Sequence, residues 1–273
     1  MNVLALVAAA SALLVTGCSA APAADAVSEE IASPVPASPV PTSPVPTSLV
    51  SAGPKARIVL MSSLPLVHGD GVDLRGLIAG KADPHPLHEE LKAAHELIVA
   101  DSLDRDTLAK VDLVILVQPR ALPPDALVAL DDYVRAGGRL LLFTDPALDW
   151  PSARGFGDPL GPLRVSLASP LLRHWGIELV DPELGSVRLQ PSGAVLVQPG
   201  RFVALPGKTG DAVCVVESQG YLARCRPGEG RAILVADADL LAPEMISQSA
   251  ESGAANRRFT AMLMAELLRK DTS

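Results

Sequence analysis

The chain has 273 residues and a formal net charge of −8, and its residues are 48% hydrophobic, 20% charged and only 3% aromatic. This length is sufficient for a buried core, and the composition excludes collagen-like, coiled-coil and wholly disordered proteins. The acidic balance also argues against a nucleic-acid partner, because binding to the phosphate backbone requires clustered Lys and Arg. Charge is unevenly distributed, since residues 1–54 contain no Lys or Arg.

The first residues have the composition of an export signal. Residues 3–15 form an apolar run with the length of a secretory h-region, which is too short for a comfortable membrane span. The run leads through Thr16 and Gly17 into Cys18, and this pattern resembles a bacterial lipobox. We therefore expect residues 1–17 to be a signal peptide and Cys18 to be lipidated. An ordinary signal peptide with an incidental cysteine is the alternative.

Residues 18–54 are predicted to be a disordered tether that follows the lipidated cysteine. Three consecutive five-residue repeats, each beginning Ser-Pro-Val-Pro, occupy residues 33–47. Proline fixes φ and removes backbone donors, so polyproline II is expected there instead of helix or sheet. A peptide ligand for an aromatic groove is the alternative. The remaining residues, 55–273, are predicted to form one α/β domain.

Short apolar runs alternate with amphipathic stretches beyond residue 54, which is typical of an α/β fold. Strands are predicted at residues 57–61, 96–99, 111–117, 139–144, 177–180 and 232–237. Helices are predicted at residues 85–94, from 123 to the glycine pair at 137–138, at 170–175 and at 256–270. The side chains of the last helix that are expected to face the core are Phe259, Met262, Leu263 and Leu267.

The clearest unit runs from residue 111 to residue 145. Its first strand is followed by Pro123 and Pro124, which suit the start of a helix, and Gly137 is a residue that commonly ends one. A second apolar strand then begins directly. This order predicts a right-handed βαβ crossover between two parallel strands.

The C-terminal half has a different sequence pattern, in which short apolar runs are separated by Gly and Pro. Residues 213–218 and 221–225 flank Gln219 and Gly220, which predicts a β-hairpin with a two-residue turn. Such a hairpin places Cys214 opposite Cys225, so a disulfide between them is expected in an exported protein. Two buried free thiols are the alternative.

Several acidic residues lie at or just beyond the ends of predicted strands, where ligands bind in open α/β sheets. These candidate ligand-binding residues are Asp145, Asp149, Asp237 and Asp239, and His68 is added as a further candidate. The alternative interpretation is that polar residues stand there only because the strands stop. An envelope hydrolase that uses Asp145 and Asp237, with His68 or a bound metal, is kept as the alternative function.

Motifs for known chemistry are missing from the sequence. It contains no GxSxG, HExxH, GxxxxGK[ST] or GxGxxG pattern. His85 and His88 are followed by two glutamates, but we expect these residues to be solvated at a helix N-terminus instead of ligating zinc. No catalytic residue, metal or cofactor is therefore predicted.

Residues 111–146 resemble the GldG-type auxiliary domain of ABC transport systems. The resemblance rests on the Tyr-Val-x-x-Gly-Gly-Arg-Leu-Leu segment at residues 133–141 and on the Asp-Pro pair at residues 145–146. Further support comes from Ser-Leu-Pro at residues 63–65, from Leu-Leu-x-x-Trp-Gly-Ile at residues 171–177 and from Gly-Arg-Ala-Ile-Leu-Val-Ala-Asp-Ala-Asp at residues 230–239. Together these matches extend over residues 55–270.

The resemblance implies a Rossmann-like, mostly parallel sheet with flanking helices and a small antiparallel hairpin region. That fold is similar to class I glutamine amidotransferases, without their catalytic cysteine. The resemblance also implies a non-catalytic partner of an ABC transporter in the cell envelope. Members commonly carry transmembrane helices, whereas this chain has only the lipobox-like segment.

We therefore expect a lipid-anchored, periplasm-facing accessory protein of the bacterial cell envelope. Its expected partners are an envelope protein or an ABC transporter permease, and it is expected to contact the membrane through its lipid anchor. Ser19 after the cysteine mildly favours the outer membrane over retention at the inner membrane.

Overall fold

Continuous apolar runs form the centre of a seven-stranded sheet. The computed structural model describes residues 55–155, 157–182, 184–206, 212–247 and 251–269. All of these belong to one compact unit, Ser43–Ser273. The predicted signal peptide, Cys18 and the tether lie outside the described residues.

The described strands are β1 (Arg57–Ser62), β2 (Glu96–Val99), β3 (Leu113–Val117), β4 (Arg139–Phe143), β5 (Ile177–Val180), β6 (Ser186–Arg188), β7 (Val195–Val197), β8 (Arg201–Ala204), β9 (Ala212–Glu217), β10 (Leu222–Pro227) and β11 (Arg231–Val235). The described α-helices are α1 (Leu74–Ile78), α2 (Pro86–Ala94), α3 (Arg105–Leu108), α4 (Pro124–Arg135), α5 (Ser169–His174) and α6 (Glu251–Leu268).

The strand order in the main sheet is β2-β1-β3-β4-β11-β10-β9. The strands from β2 to β11 in this order pair in parallel, and β10 and β9 add an antiparallel edge. Two further antiparallel pairs, β5 with β8 and β6 with β7, form separate small sheets. The predicted α/β class, with its mostly parallel sheet and antiparallel C-terminal hairpins, is confirmed.

Both faces of the central parallel strands are covered, which explains their largely apolar sequence. Every residue of β3 is at most 1% exposed. Ile115 packs in one core with residues of α2 and α6, such as Leu91 and Leu263. Its neighbour Val114 packs in a second core with residues of α4, such as Leu130. The sheet therefore lies between two helical layers.

Helix α6 begins earlier than the predicted 256–270, and one of its predicted core residues is wrong. Phe259, Leu263 and Leu267 are buried, whereas Met262 is 38% exposed. The buried residues are spaced four apart and share one face, and Met262 lies outside that row. Among the described residues, no helix has the combination of length and apolar character that a membrane span needs.

The predicted hairpin is present as β9 and β10. Gln219 and Gly220 both have positive φ, at 61° and 103°, as a type I′ turn requires. The Tyr221 N–H donates to the Ser218 carbonyl at 3.2 Å and closes the turn. The strand register places Cys214 opposite Cys225, and their sulfur atoms are joined in a disulfide.

Candidate functional site

The candidate site lies where two neighbouring parallel strands end. Val235 at the end of β11 pairs with Phe143 at the end of β4, so Asp145 and Asp237 emerge side by side. With Asp239 they form a buried group in which one carboxylate oxygen from each residue lies within 4.8 Å of the others. The structure therefore brings together three of the five candidate residues.

The two remaining candidates do not join this group. Asp149 is exposed, and its backbone N–H donates to Asp239 Oδ2 at 2.7 Å. His68 is also exposed, and its carbonyl accepts a hydrogen bond from the Asp83 N–H at 3.3 Å. His68, the histidine that the hydrolase hypothesis expected to assist the carboxylates, is therefore not part of this group.

Backbone amides occupy most of the carboxylate oxygens. Asp145 accepts from the Ala147 N–H at 2.8 Å through Oδ1 and from the Ala238 N–H at 3.2 Å through Oδ2. Asp237 accepts from Val197 N–H at 2.6 Å through Oδ2 and from Leu240 N–H at 3.0 Å through Oδ1. These bonds hold the ends of β4, β7 and β11 together.

Asp239 is the exception within this group. Its Oδ1 is buried and has no hydrogen-bond partner among the described residues. Burial raises the pKa of Asp239 to about 7, and the nearby charges of Asp145 and Asp149 add to this rise. An unsatisfied buried acceptor is costly unless it is protonated or bound by a cation.

The pKa values of the other two carboxyls are also raised. Burial is the largest cause in both cases and brings the pKa of Asp145 to about 6. Burial, followed by the charge of Asp145, raises the pKa of Asp237 well above the ordinary range. The three carboxyls are therefore not all ionised at neutral pH. A single cation could contact one oxygen of each, but the amide contacts already give the group a structural role.

Gln118 is a site residue that the sequence reasoning missed. It directly follows β3, is 1% exposed and has a positive φ of 43°. Its Nε2 donates to the carbonyls of Asp145 at 3.0 Å and Leu163 at 3.1 Å, and its Oε1 accepts from the Asp145 N–H at 2.8 Å. The Ser63 hydroxyl donates to the Gln118 carbonyl at 2.5 Å. Gln118 thus links the carboxyl ends of β1, β3 and β4.

The histidines at the start of α2 are buried, so the prediction that they are solvated was wrong. His85 is 6% exposed and His88 is 7% exposed. His85 Nδ1 accepts from the Leu87 N–H at 3.3 Å and caps α2, and its ring lies 5.6 Å from the ring of Trp150. Burial lowers the pKa of His85 to about 4, so the ring is neutral at pH 7. Trp150, which is distant from His85 in the sequence, contributes to the burial of the His85 ring.

The chain is similar to solved structures of varied kinds, all at low identity. It shares 15% identity and a TM-score of 0.45 with an exo-β-1,4-mannosidase from an Opitutaceae bacterium, covering 80% of this chain and 37% of the enzyme. A cytoplasmic protein from Salmonella typhimurium is 13% identical with a TM-score of 0.42, over 76% of this chain and 98% of that one. A ThuA-like protein from Bacteroides uniformis is 11% identical with a TM-score of 0.41, over 78% and 91% of the two chains.

The chain thus spans little more than a third of the mannosidase. It spans 30% of a β-galactosidase from G. stearothermophilus, which is also similar in structure. A comparison with curated proteins gave no match. The model of the family described as "ABC-type uncharacterized transport system" matches residues 25–202, which is well over half of the sequence. The chain therefore belongs to this ABC transport auxiliary family.

Proposed function

We propose that the protein is a lipid-anchored, envelope-exposed accessory component of an ABC transport system that binds its partner without catalysis. The observation that carries this proposal is the family match over residues 25–202. Family membership implies association with an ABC transport system. The lipid anchor, the location and the absence of catalysis are the parts that we add.

The anchor is supported by the lipobox-like sequence that ends at Cys18 and by the proline-rich residues 18–54. A polyproline II segment rises about 3.1 Å per residue, so a tether of this length could hold the domain some tens of ångströms from a membrane. A domain on such a tether could reach a membrane-embedded permease.

The non-catalytic role is supported by the contacts of the buried carboxylates. Asp145 and Asp237 each use both carboxylate oxygens to accept backbone hydrogen bonds. Both side chains are fully buried. A general acid or base must reach the substrate within hydrogen-bond distance, and these groups face the protein's own backbone instead.

The test is to capture the partner of the full-length, tagged protein from the envelope of its own host after mild cross-linking. We expect mass spectrometry to identify the permease or ATPase of one ABC system, and we expect Cys18→Ala to release the protein from the membrane fraction. Enrichment of no ABC component would contradict the accessory role. Membrane retention of the Cys18→Ala variant, with palmitate labelling that persists, would contradict the anchor.

The raised pKa values of Asp145, Asp237 and Asp239 favour the hydrolase alternative, because perturbed carboxyls are common in active sites. Asp145→Asn in the full-length protein separates the two functions. The accessory role predicts that a folded Asp145→Asn variant still supports transport in a strain that lacks the wild-type gene. Loss of function in a variant with wild-type stability would favour the hydrolase.

A further inference from the structure

We propose that a cavity lined by Arg120, Arg154 and Arg164 binds a small organic anion through its phosphate or carboxylate group. The cavity has a volume of about 420 Å³. Its lining residues do not include the three aspartates described above, and the proposal does not depend on the role in ABC transport.

The cavity lies at the carboxyl edge of the sheet. Arg120 follows the end of β3, and Arg154 and Arg164 belong to the long connection between β4 and α5. Ligands of open α/β sheets bind outside the carboxyl ends of the strands, close to the point where the strand order reverses. Here that reversal falls between β1 and β3, and Arg120 of the cavity lies just beyond the end of β3.

The walls of the cavity are held in place by hydrogen bonds. Leu163 is fixed to the end of β3 by its bond from Gln118 Nε2 at 3.1 Å. Arg164 Nη1 donates to the carbonyls of Leu148 at 3.3 Å and Trp150 at 2.7 Å, and the Leu148 N–H donates to the Arg164 carbonyl at 3.0 Å. A preformed pocket binds more tightly because less conformational entropy is lost on binding.

The charge of the cavity is positive although the protein is acidic. Three arginines line it, and Asp158 is the only acidic residue among its described lining residues. Asp158 lies 3.5 Å from Arg154 Nη1. The bonds described for each arginine use one nitrogen, namely Nη2 of Arg120 and Nη1 of Arg154 and Arg164. The other guanidinium nitrogens of Arg120 and Arg154 can donate to an anion in the paired geometry that suits carboxylate and phosphate.

The remaining lining favours an organic ligand over a bare inorganic ion. Pro159, Pro162, Leu163 and Val165 supply apolar surface beside the arginines. Pockets for small molecules usually measure about 300–1,000 Å³ and combine apolar walls with a few polar groups. A monosaccharide-sized molecule with one anionic group has the size and the mixed polarity that this cavity would accept.

The experiment is calorimetric titration of the full-length protein with three probes that share one scaffold: glucose, glucuronate and glucose 6-phosphate. We expect binding of at least one anionic sugar and none of glucose, and the two anions distinguish carboxylate from phosphate recognition. Absence of binding by both anions, or equal binding of glucose, would overturn the proposal.

Variants locate the site. Arg120→Gln and Arg154→Gln should each weaken anion binding about tenfold, whereas Arg105→Gln, at an exposed ion pair with Asp132 elsewhere on the surface, should leave it unchanged.

Asp158→Asn should strengthen binding several-fold, because it removes the competing carboxylate and keeps an oxygen for the Leu160 N–H. A gain of affinity cannot result from misfolding. Unchanged affinity in Arg120→Gln, Arg154→Gln and Asp158→Asn would show that the anion binds elsewhere.

Discussion

The side-chain amide of Gln118 forms a pair of hydrogen bonds with the backbone of Asp145. Its Oε1 accepts from the Asp145 N–H at 2.8 Å and its Nε2 donates to the Asp145 carbonyl at 3.0 Å. The two residues follow the neighbouring strands β3 and β4. The two hydrogen bonds therefore connect these strands where their backbone hydrogen bonding ends. The carboxylate of Asp145 continues the connection to Ala238 beyond β11.

Loss of this pair should be strongly destabilising. Gln118→Leu leaves the N–H and the carbonyl of Asp145 without their partner in a buried position, and we expect it to lower the free energy of unfolding by about 2–4 kcal/mol. Gln198→Leu is the matched control, because Gln198 also has a positive φ, at 47°. Both variants therefore place a leucine in the same unfavourable backbone conformation. Urea unfolding measures both. Similar losses in the two variants would mean that the backbone conformation, not the hydrogen bonds, explains the effect.

Asp239 should make the protein less stable as pH rises. Its folded-state pKa is raised from 3.8 to about 7, so the folded protein binds the proton more tightly than the unfolded chain does. The stabilisation is complete below pH 3.8 and is lost as pH rises towards 7. Asp239→Asn removes this titration, and the decline in stability between these pH values should become smaller by about 2–4 kcal/mol.

Asp125→Asn, which removes one exposed charge from the first turn of α4, serves as the control for Asp239→Asn. Its pH profile should match that of the wild type. Urea unfolding across the pH range gives all three curves. An unchanged slope in Asp239→Asn would refute the view that the buried carboxyl is protonated in the folded protein.

His85 should produce the opposite trend. Its pKa is lowered from 6.5 to about 4 by burial, so the unfolded chain binds the proton more tightly. The stability that depends on the neutral ring is complete above pH 6.5 and is lost as pH falls towards 4. His85→Asn keeps a side-chain acceptor for the start of α2 and should reduce that loss by about 3 kcal/mol.

His68→Asn is the control for His85→Asn, since His68 is exposed. Unfolding measured at several pH values between these limits should give wild-type curves for His68→Asn and a flatter curve for His85→Asn. If His85→Asn retained the full acid sensitivity, the protonation of another group would have to explain it.

The Cys214–Cys225 disulfide should stabilise the hairpin. It closes a short loop with a sequence separation of 11, and loops of that size are stabilised by about 2–3 kcal/mol when cross-linked. The double variant Cys214→Ala/Cys225→Ala should lose about that much. In the wild type, neither cysteine should react with iodoacetamide after unfolding unless a reductant is added. Labelling of both thiols without reductant would show that the pair is not oxidised.

Much of the fold could be predicted because the residues that mark each strand, helix and turn lie close together in the sequence. The apolar run at residues 111–117, the helix-starting prolines and the Gly137-Gly138 pair mark β3, α4 and the start of β4 within one stretch of chain. The Gln-Gly pair at residues 219–220 likewise predicted the turn and the register of the hairpin. In contrast, α1 and α3 contain only five and four residues, which is too short for an apolar periodicity to appear.

The interactions within the site could not be predicted in the same way. The sequence suggested that Asp145 and Asp237 lie at strand ends, but the contact between Asp145 and Ala238 joins residues 93 positions apart. Whether such a carboxylate meets solvent, a ligand or a backbone amide depends on which strands become neighbours. The burial of His85 depends in the same way on where the connection that carries Trp150 packs.

The sequence by itself therefore determined the order and type of the main elements, because apolar periodicity and turn residues act over a few positions. Only the tertiary structure decided that the aspartates bind backbone amides, that Gln118 joins three strand ends and that three arginines line one cavity. The physical reason is that hydrogen bonding and desolvation depend on neighbours in space, and the parallel sheet brings those neighbours together from distant parts of the chain.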